Sequence, residues 1–174
     1  AGVTQFDWYP MIRGRLVAIN GETVTPERFQ DERAQRLVDR EFNLSHSAQA
    51  PTHNAIVAGT WVPEETQGLS IEEGIAKTLH LRLGDVLRFD MAGVTHDARI
   101  TSVRRVDWTS MRANFFVMYP LSHMPEVPLT YIAAFRAPAV KGFDNALLQR
   151  FPNVTSVDMG STRCTWLSVL GQVI

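Results

Sequence analysis

The sequence is short of cysteine, lysine, net charge and long apolar runs, and each shortage excludes something. Cys164 is the only cysteine, so there is no internal disulfide and no thiolate metal cluster, and the redox compartment stays open. The 17 basic and 18 acidic side chains nearly cancel, so no overall field gathers phosphate backbone or anionic lipid, and nucleic acid is not expected as a partner. Lys77 and Lys141 are the only lysines, which reads as codon bias before it reads as recognition. The longest apolar stretch, Phe115 to Tyr119, falls far below the roughly 18 residues of a membrane span. There is no phosphate-binding glycine loop and no Gly-x-Ser-x-Gly elbow. What remains is 174 residues, 45% hydrophobic and 20% charged, the balance of an ordinary folded domain. A chain of this length buries roughly 70% of its unfolded surface, enough for one sizeable core or two small lobes.

Local patterns give an α+β inventory. A strand over Gly14 to Ile19 ends at Asn20-Gly21, a strong hairpin signal. Thr25 to Val38, with Pro26 at a first helical position and charges of mixed sign, predicts a weakly anchored surface helix. The uncharged run Asn54 to Gly59 reads as a buried strand. Leu69 to Leu79 predicts a helix with Ser70 and Glu73 as a capping box and Ile71, Ile75 and Leu79 on one face. Val86 to Met91 and Val94 to Val106 form a hairpin. The inward set of its long strand shifts phase from Ala98 and Ile100 to Val103 and Val106, which predicts a bulge. Asn114 to Tyr119 and Thr130 to Phe135 are two further strands, Val140 to Phe151 a second helix, and Asn153 to Asp158 a last short strand. The ten residues from Thr165 carry no charge. Ser161 to Ile174 is expected to be the start of a helix continuing into a membrane, with Trp166 near the interface. The chain is read as a segment of something longer.

Chemistry is hard to place in these residues. Ser45-His46-Ser47 is the one tempting hydrolase run, but neighbours on an extended chain face opposite ways. His46, His53, His80, His96 and His123 fall in separate elements with no metal spacing. Glu72-Glu73 is accounted for by helix capping, and Glu64-Glu65 by a solvated loop. The sharpest charge cluster is Arg99, Arg104, Arg105 and Arg112 around Asp107-Trp108. Of these, Arg104, Arg105, Trp108 and Arg112 are the candidate partner surface, with Trp108 offered for stacking. The plainer reading is a solvated strand edge that discourages edge-to-edge pairing. No catalytic, cofactor or metal-binding residue is expected.

Several runs carry a resemblance. Ser70-Ile71-Glu72-Glu73-Gly74-Ile75-Ala76, Leu83-Gly84-Asp85, Val103-Arg104-Arg105-Val106-Asp107-Trp108 and Arg112-Ala113-Asn114-Phe115-Phe116 lie between Met11-Ile12-Arg13-Gly14-Arg15-Leu16 and Phe151-Pro152-Asn153-Val154-Thr155. Together they resemble the extracytoplasmic domain of FtsX-like, MacB-like ABC transporter permeases, most of all the YbbP-type permeases. The resemblance implies a non-catalytic periplasmic domain of a bacterial inner-membrane protein. It implies a MacB-like periplasmic core fold: a mixed α/β porter subdomain, residues 1–41 and 120–160, with a β-rich, Sabre-like subdomain inserted at 42–119 and a transmembrane helix starting at 161–174. It further implies a separate cytoplasmic ABC ATPase subunit, membrane helices flanking the domain, and mechanotransmission, in which ATP-driven helix movement is coupled to hydrophobic, lipid-like cargo or a periplasmic partner. A free-standing periplasmic hydrolase or esterase is the competing class, separated from the first by whether the uncharged C-terminal residues enter a membrane or a core.

Overall fold

In the computed structural model, residues 4–110, 112–124, 127–138, 140–158 and 164–169 are described. The chain divides into two compact units, one formed by residues 12–107 and 115–128, the other by 1–11, 108–114 and 129–174. Beside residues of the expected 42–119 insertion, the larger unit takes in 12–41 and 120–128, while residues 108–114 count with the smaller one.

The larger unit is a closed barrel. Its strands are the second half of β1 (Thr4–Ile19), β3 (Phe42–His46), β5 (Gly68–Glu72), β6 (Val86–Met91), β7 (Val94–Val106) and β8 (Val117–Tyr119). β1 pairs with β3, β3 with β8, β8 with β5, β5 with β7, β7 with β6, and β6 returns to β1. Six strands thus close with no free edge in the ring, which is how a small all-β core removes its unpaired backbone groups. β2 (Glu22–Thr23) hangs on β1, and β4 (Asn54–Gly59) is added outside the ring, on β7. Inside, Phe42 sets its ring edge-on to Phe89 at 5.9 Å and to Phe116 at 6.2 Å.

The smaller unit is an antiparallel sheet of the first half of β1 with β9 (Thr130–Arg136), β10 (Val154–Asp158) and β11 (Cys164–Val169), plus the helix α3 (Phe143–Arg150). Phe143 and Leu147 of α3 pack on Ala133, Phe135 and Val154. The Phe135 and Phe143 rings meet edge to face at 6.1 Å.

The expected α+β class with a mixed α/β porter subdomain is therefore overturned: the fold is mostly β, organised by a closed barrel. Helices proved short because residues with helical spacing were drawn into ladders. Ser70 and Ile71 belong to β5, where Ile71 pairs with Val117 and Val103. The helix α2 (Glu73–Thr78) is consequently capped by Glu72, whose carboxylate accepts from the Ile75 amide at 2.8 Å. Likewise Thr25 to Val38 is a 3-10 turn at Pro26–Arg28, a break at Phe29-Gln30, and then α1 (Glu32–Val38), capped by Asp31. The expected helix over Ser161–Ile174 is a strand where it is described, β11, and its other residues lie outside the described ones. Among the described residues no helix is long and apolar enough to cross a membrane.

Two hairpins follow local chemistry. Asn20 and Gly21 both have positive φ, as do Ala92 and Gly93 between β6 and β7, the two-residue turn whose twist suits a hairpin. Asp90 completes the second by accepting from the Gly93 amide at 2.7 Å.

Two histidines are expected to make the barrel acid-sensitive. Burial lowers the pKa of both His46 and His96; at His46 a hydrogen bond to the Leu121 carbonyl opposes it only in part. That bond, at 2.9 Å, uses Nδ1 as donor and leaves Nε2 buried with no partner among the described residues. A second proton would sit there unsolvated. The folded pKa values therefore lie below those of the unfolded chain, which binds protons first as pH falls through about 6.5. Stability is expected to be level from pH 8 to 7 and to fall from about pH 6.5 toward 5, read as thermal midpoint against pH. His46→Gln with His96→Gln should flatten that interval, and an unchanged slope would refute the assignment.

Candidate interaction surfaces

The four residues singled out by their charge pattern fall into different environments. Along β7 the buried positions are Ala98, Ile100, Ser102, Arg104 and Val106, a single unbroken alternation. The expected shift of the inward set is absent because two inward places are polar, but β7 does carry an extra residue in its ladder with β5: Leu69 faces Ile100 and Ser70 faces Ser102, which leaves Thr101 over. Arg104 is thus wholly buried. Its Nε donates to Ser70 Oγ at 3.0 Å, Nη1 to Asn54 Oδ1 at 2.6 Å and Nη2 to the Phe115 carbonyl at 2.8 Å. It ties β4, β5 and the approach to β8 together and offers nothing to a partner.

Arg105, next along the strand, faces outward and grips both carboxylate oxygens of Glu73 at 2.7 and 3.3 Å. That hydrogen bond holds the Glu73 carboxyl below its ordinary pKa. Trp108 and Arg112 belong to the smaller unit, where Trp108 is about half exposed. Arg112 makes a bidentate pair with Asp7 of β1, 2.6 Å on each arm, and the Ala113 amide adds a longer contact to the same carboxylate. Asp7 is buried while the Arg112 side chain keeps 32% of its exposure. Asp7→Asn is expected to cost about 1–3 kcal/mol, the range for charge-assisted hydrogen bonds, because solvent relieves part of the loss on the arginine side. Urea unfolding checks it; a loss near zero would show that the pair holds nothing.

A surface missed from sequence lies on the sheet of the smaller unit. Phe6 and Trp8 are 59% and 46% exposed. The Trp8 ring stacks on Tyr131 of β9 at 5.0 Å and on Phe6 at 6.2 Å. Trp8 lies opposite Ala133, so Tyr131 is its diagonal neighbour on the same face. The alternation Phe6-Asp7-Trp8, with the buried ion pair on the intervening residue, was the available signal.

Ser45 is wholly buried beside His46, whose Nδ1 is engaged by a backbone carbonyl. Among the described residues no three of His, Cys, Asp and Glu come close enough to hold a metal ion.

The described residues thus form a closed barrel with an added outer strand and a sheet bearing exposed aromatics. The chain is homologous to part of an ABC transporter permease. It is 36% identical over 154 residues, 88% of its length, to the protein named "Uncharacterized ABC transporter permease YbbP" of Escherichia coli (strain K12). The resemblance read from the sequence runs is thereby borne out. The chain spans 18% of the length of that relative. No family model matches it. A crystal structure of a domain of a permease protein from Porphyromonas gingivalis aligns with 98% of this chain and 74% of its own, at 13% identity and a TM-score of 0.43.

Proposed function

We propose that the chain is an extracytoplasmic module of an ABC transporter permease in a bacterial inner membrane, non-catalytic itself. It couples the movement of membrane helices, driven by a separate cytoplasmic ATPase subunit, to the handling of hydrophobic cargo or a periplasmic partner. The observation that carries this reading is the 36% identity to a permease across nearly the whole chain. The structure supports it in two ways. Closed barrels deform little, because each strand is held on both sides, so they pass on a displacement instead of absorbing it. Ser45, the first serine of the Ser45-His46-Ser47 run, is wholly buried, which counts against a nucleophile there.

The test uses the full-length permease with its ATPase subunit. In a Cys164→Ser background, Val62→Cys, at an exposed position, is expected to react with a membrane-impermeant maleimide in spheroplasts, at a rate that changes when ATP turnover is blocked. Labelling only after the membrane is opened would overturn the extracytoplasmic placement. A labelling rate blind to ATP, together with normal transport after deletion of this domain, would overturn the coupling.

A further inference from the structure

Among the described residues of the larger unit, β4 is the longest strand paired on one side alone, the two-residue β2 being the other. It pairs with β7 and ends the strand order on that side, so from Ala55 to Gly59 no further strand takes up its outer edge. Edge strands are ordinarily protected by charge or proline. From Asn54 to Val62 there is neither, and Ile56, Val57 and Val62 are all exposed. The strand was expected to be buried, and its composition still suits a covered position.

Beside this edge lies a groove of about 450 Å³ between β4, β7 and α2. Val57, Val103, Ala76 and Leu81 give it an apolar floor. The register shift between Ile56 and Ala58 leaves Val57 as the extra residue, and it lines this groove. Lys77, His80 and Arg82 also line it, with Glu73 as the acidic residue. Glu73 is engaged by Arg105 at 2.7 Å and by Lys77 at 3.8 Å, while the Arg82 guanidinium makes no ion pair among the described residues. The lining is therefore net cationic. His80 closes α2 at a φ of +55°, with its own amide returning to the Lys77 carbonyl and the Leu81 amide to the Ala76 carbonyl at 2.8 Å, the left-handed ending by which helices commonly stop.

We propose that β4 is a docking edge for an extended peptide segment of a partner protein, which adds one strand to the sheet. An apolar side chain of that segment enters the groove, and a carboxylate beside it meets Arg82 and Lys77. Strand addition draws affinity from main-chain hydrogen bonds and specificity from a side-chain pocket next to the edge. Charge selects the occupant. A second copy pairing through its own β4 brings no carboxylate, since residues 54–62 contain none, whereas an acidic apolar strand satisfies both edge and rim. The inference rests on geometry alone and stands apart from the transport reading.

A phage-displayed library of random nonapeptides, selected on this 174-residue chain, tests it. The expected selectants alternate apolar residues and carry an aspartate or glutamate beside one of them. Synthesised, they should slow hydrogen exchange at the amides of residues 55–58. Lys77→Glu with Arg82→Glu, both at exposed positions, should weaken them by about a hundredfold, a factor of ten per charge contact. Ile56→Lys should abolish binding while leaving the thermal midpoint unchanged. Three results would each overturn the proposal: no selectant binding above background, selectants indifferent to the charge reversals, or concentration-dependent self-association that Ile56→Lys removes.

Discussion

Arg104→Met is expected to cost about 4 kcal/mol or more, the range reserved for broken buried hydrogen-bond networks, and to move the urea midpoint by about 2 M. The substitution keeps the apolar stem and removes three donations at once, to Ser70, Asn54 and Phe115. Each runs from a cation inside a low-dielectric core, where such bonds are strongest. Arg104→Lys should fall between, because an ammonium is a point charge that cannot copy the planar fork. Arg105→Gln, one residue further on, supplies the contrast. Its own guanidinium is open to solvent and the Glu73 side chain keeps 23% of its exposure, so the thermal midpoint should scarcely move. Equal losses at the two positions would mean that Arg104 is not the pin described.

Phe42→Ala is expected to cost about 3–5 kcal/mol, the price of a large ring deleted where neighbours cannot collapse onto the space. Phe42 is 2% exposed and meets Phe89 and Phe116 edge-on, so its removal takes away burial and two favourable ring contacts. Phe116→Ala should cost distinctly less, since that ring is only half buried and its outer face carries the Arg40 guanidinium at 5.9 Å. Equilibrium urea unfolding of the two variants side by side checks the ranking. A Phe42→Ala loss below about 1 kcal/mol would show a site loose enough to refill.

Much of the strand pattern was legible. Asn20-Gly21, the β6–β7 hairpin, β9 and β10 all follow from turn chemistry and alternation, which are local. What failed was non-local. Closure of the barrel depends on β3 meeting β8 and β5 meeting β7, pairings that no local period records. Ile71 has helical spacing to Ile75 and Leu79, yet two neighbouring strands claim it. β7 was misphased because Ser102 and Arg104 occupy inward places, and a buried arginine is indistinguishable by composition from a solvated one. The same ambiguity put Arg104 on the candidate surface. The run 54–59 was read as interior because its residues are apolar, and the structure sets it at the margin. The aromatic stripe of Phe6, Trp8 and Tyr131 assembles across two strands more than 120 residues apart in sequence, and only its first half was there to notice.

The parallel pairing of β3 with β8 sets Leu44 against Val117, with most of the barrel's chain strung between them. That ladder cannot form early: the loop must close before any of its bonds repay the lost entropy, and such topologies fold on the millisecond-to-second scale, about a thousandfold slower than helical bundles. During synthesis the ring has no way to shut until Tyr119 has left the ribosome, and until then β3 and β5 wait with open flanks. The nascent chain therefore passes through an interval in which its stickiest strands are unguarded, and holding that interval short, or covering it, falls to whatever machinery carries the polypeptide to its destination.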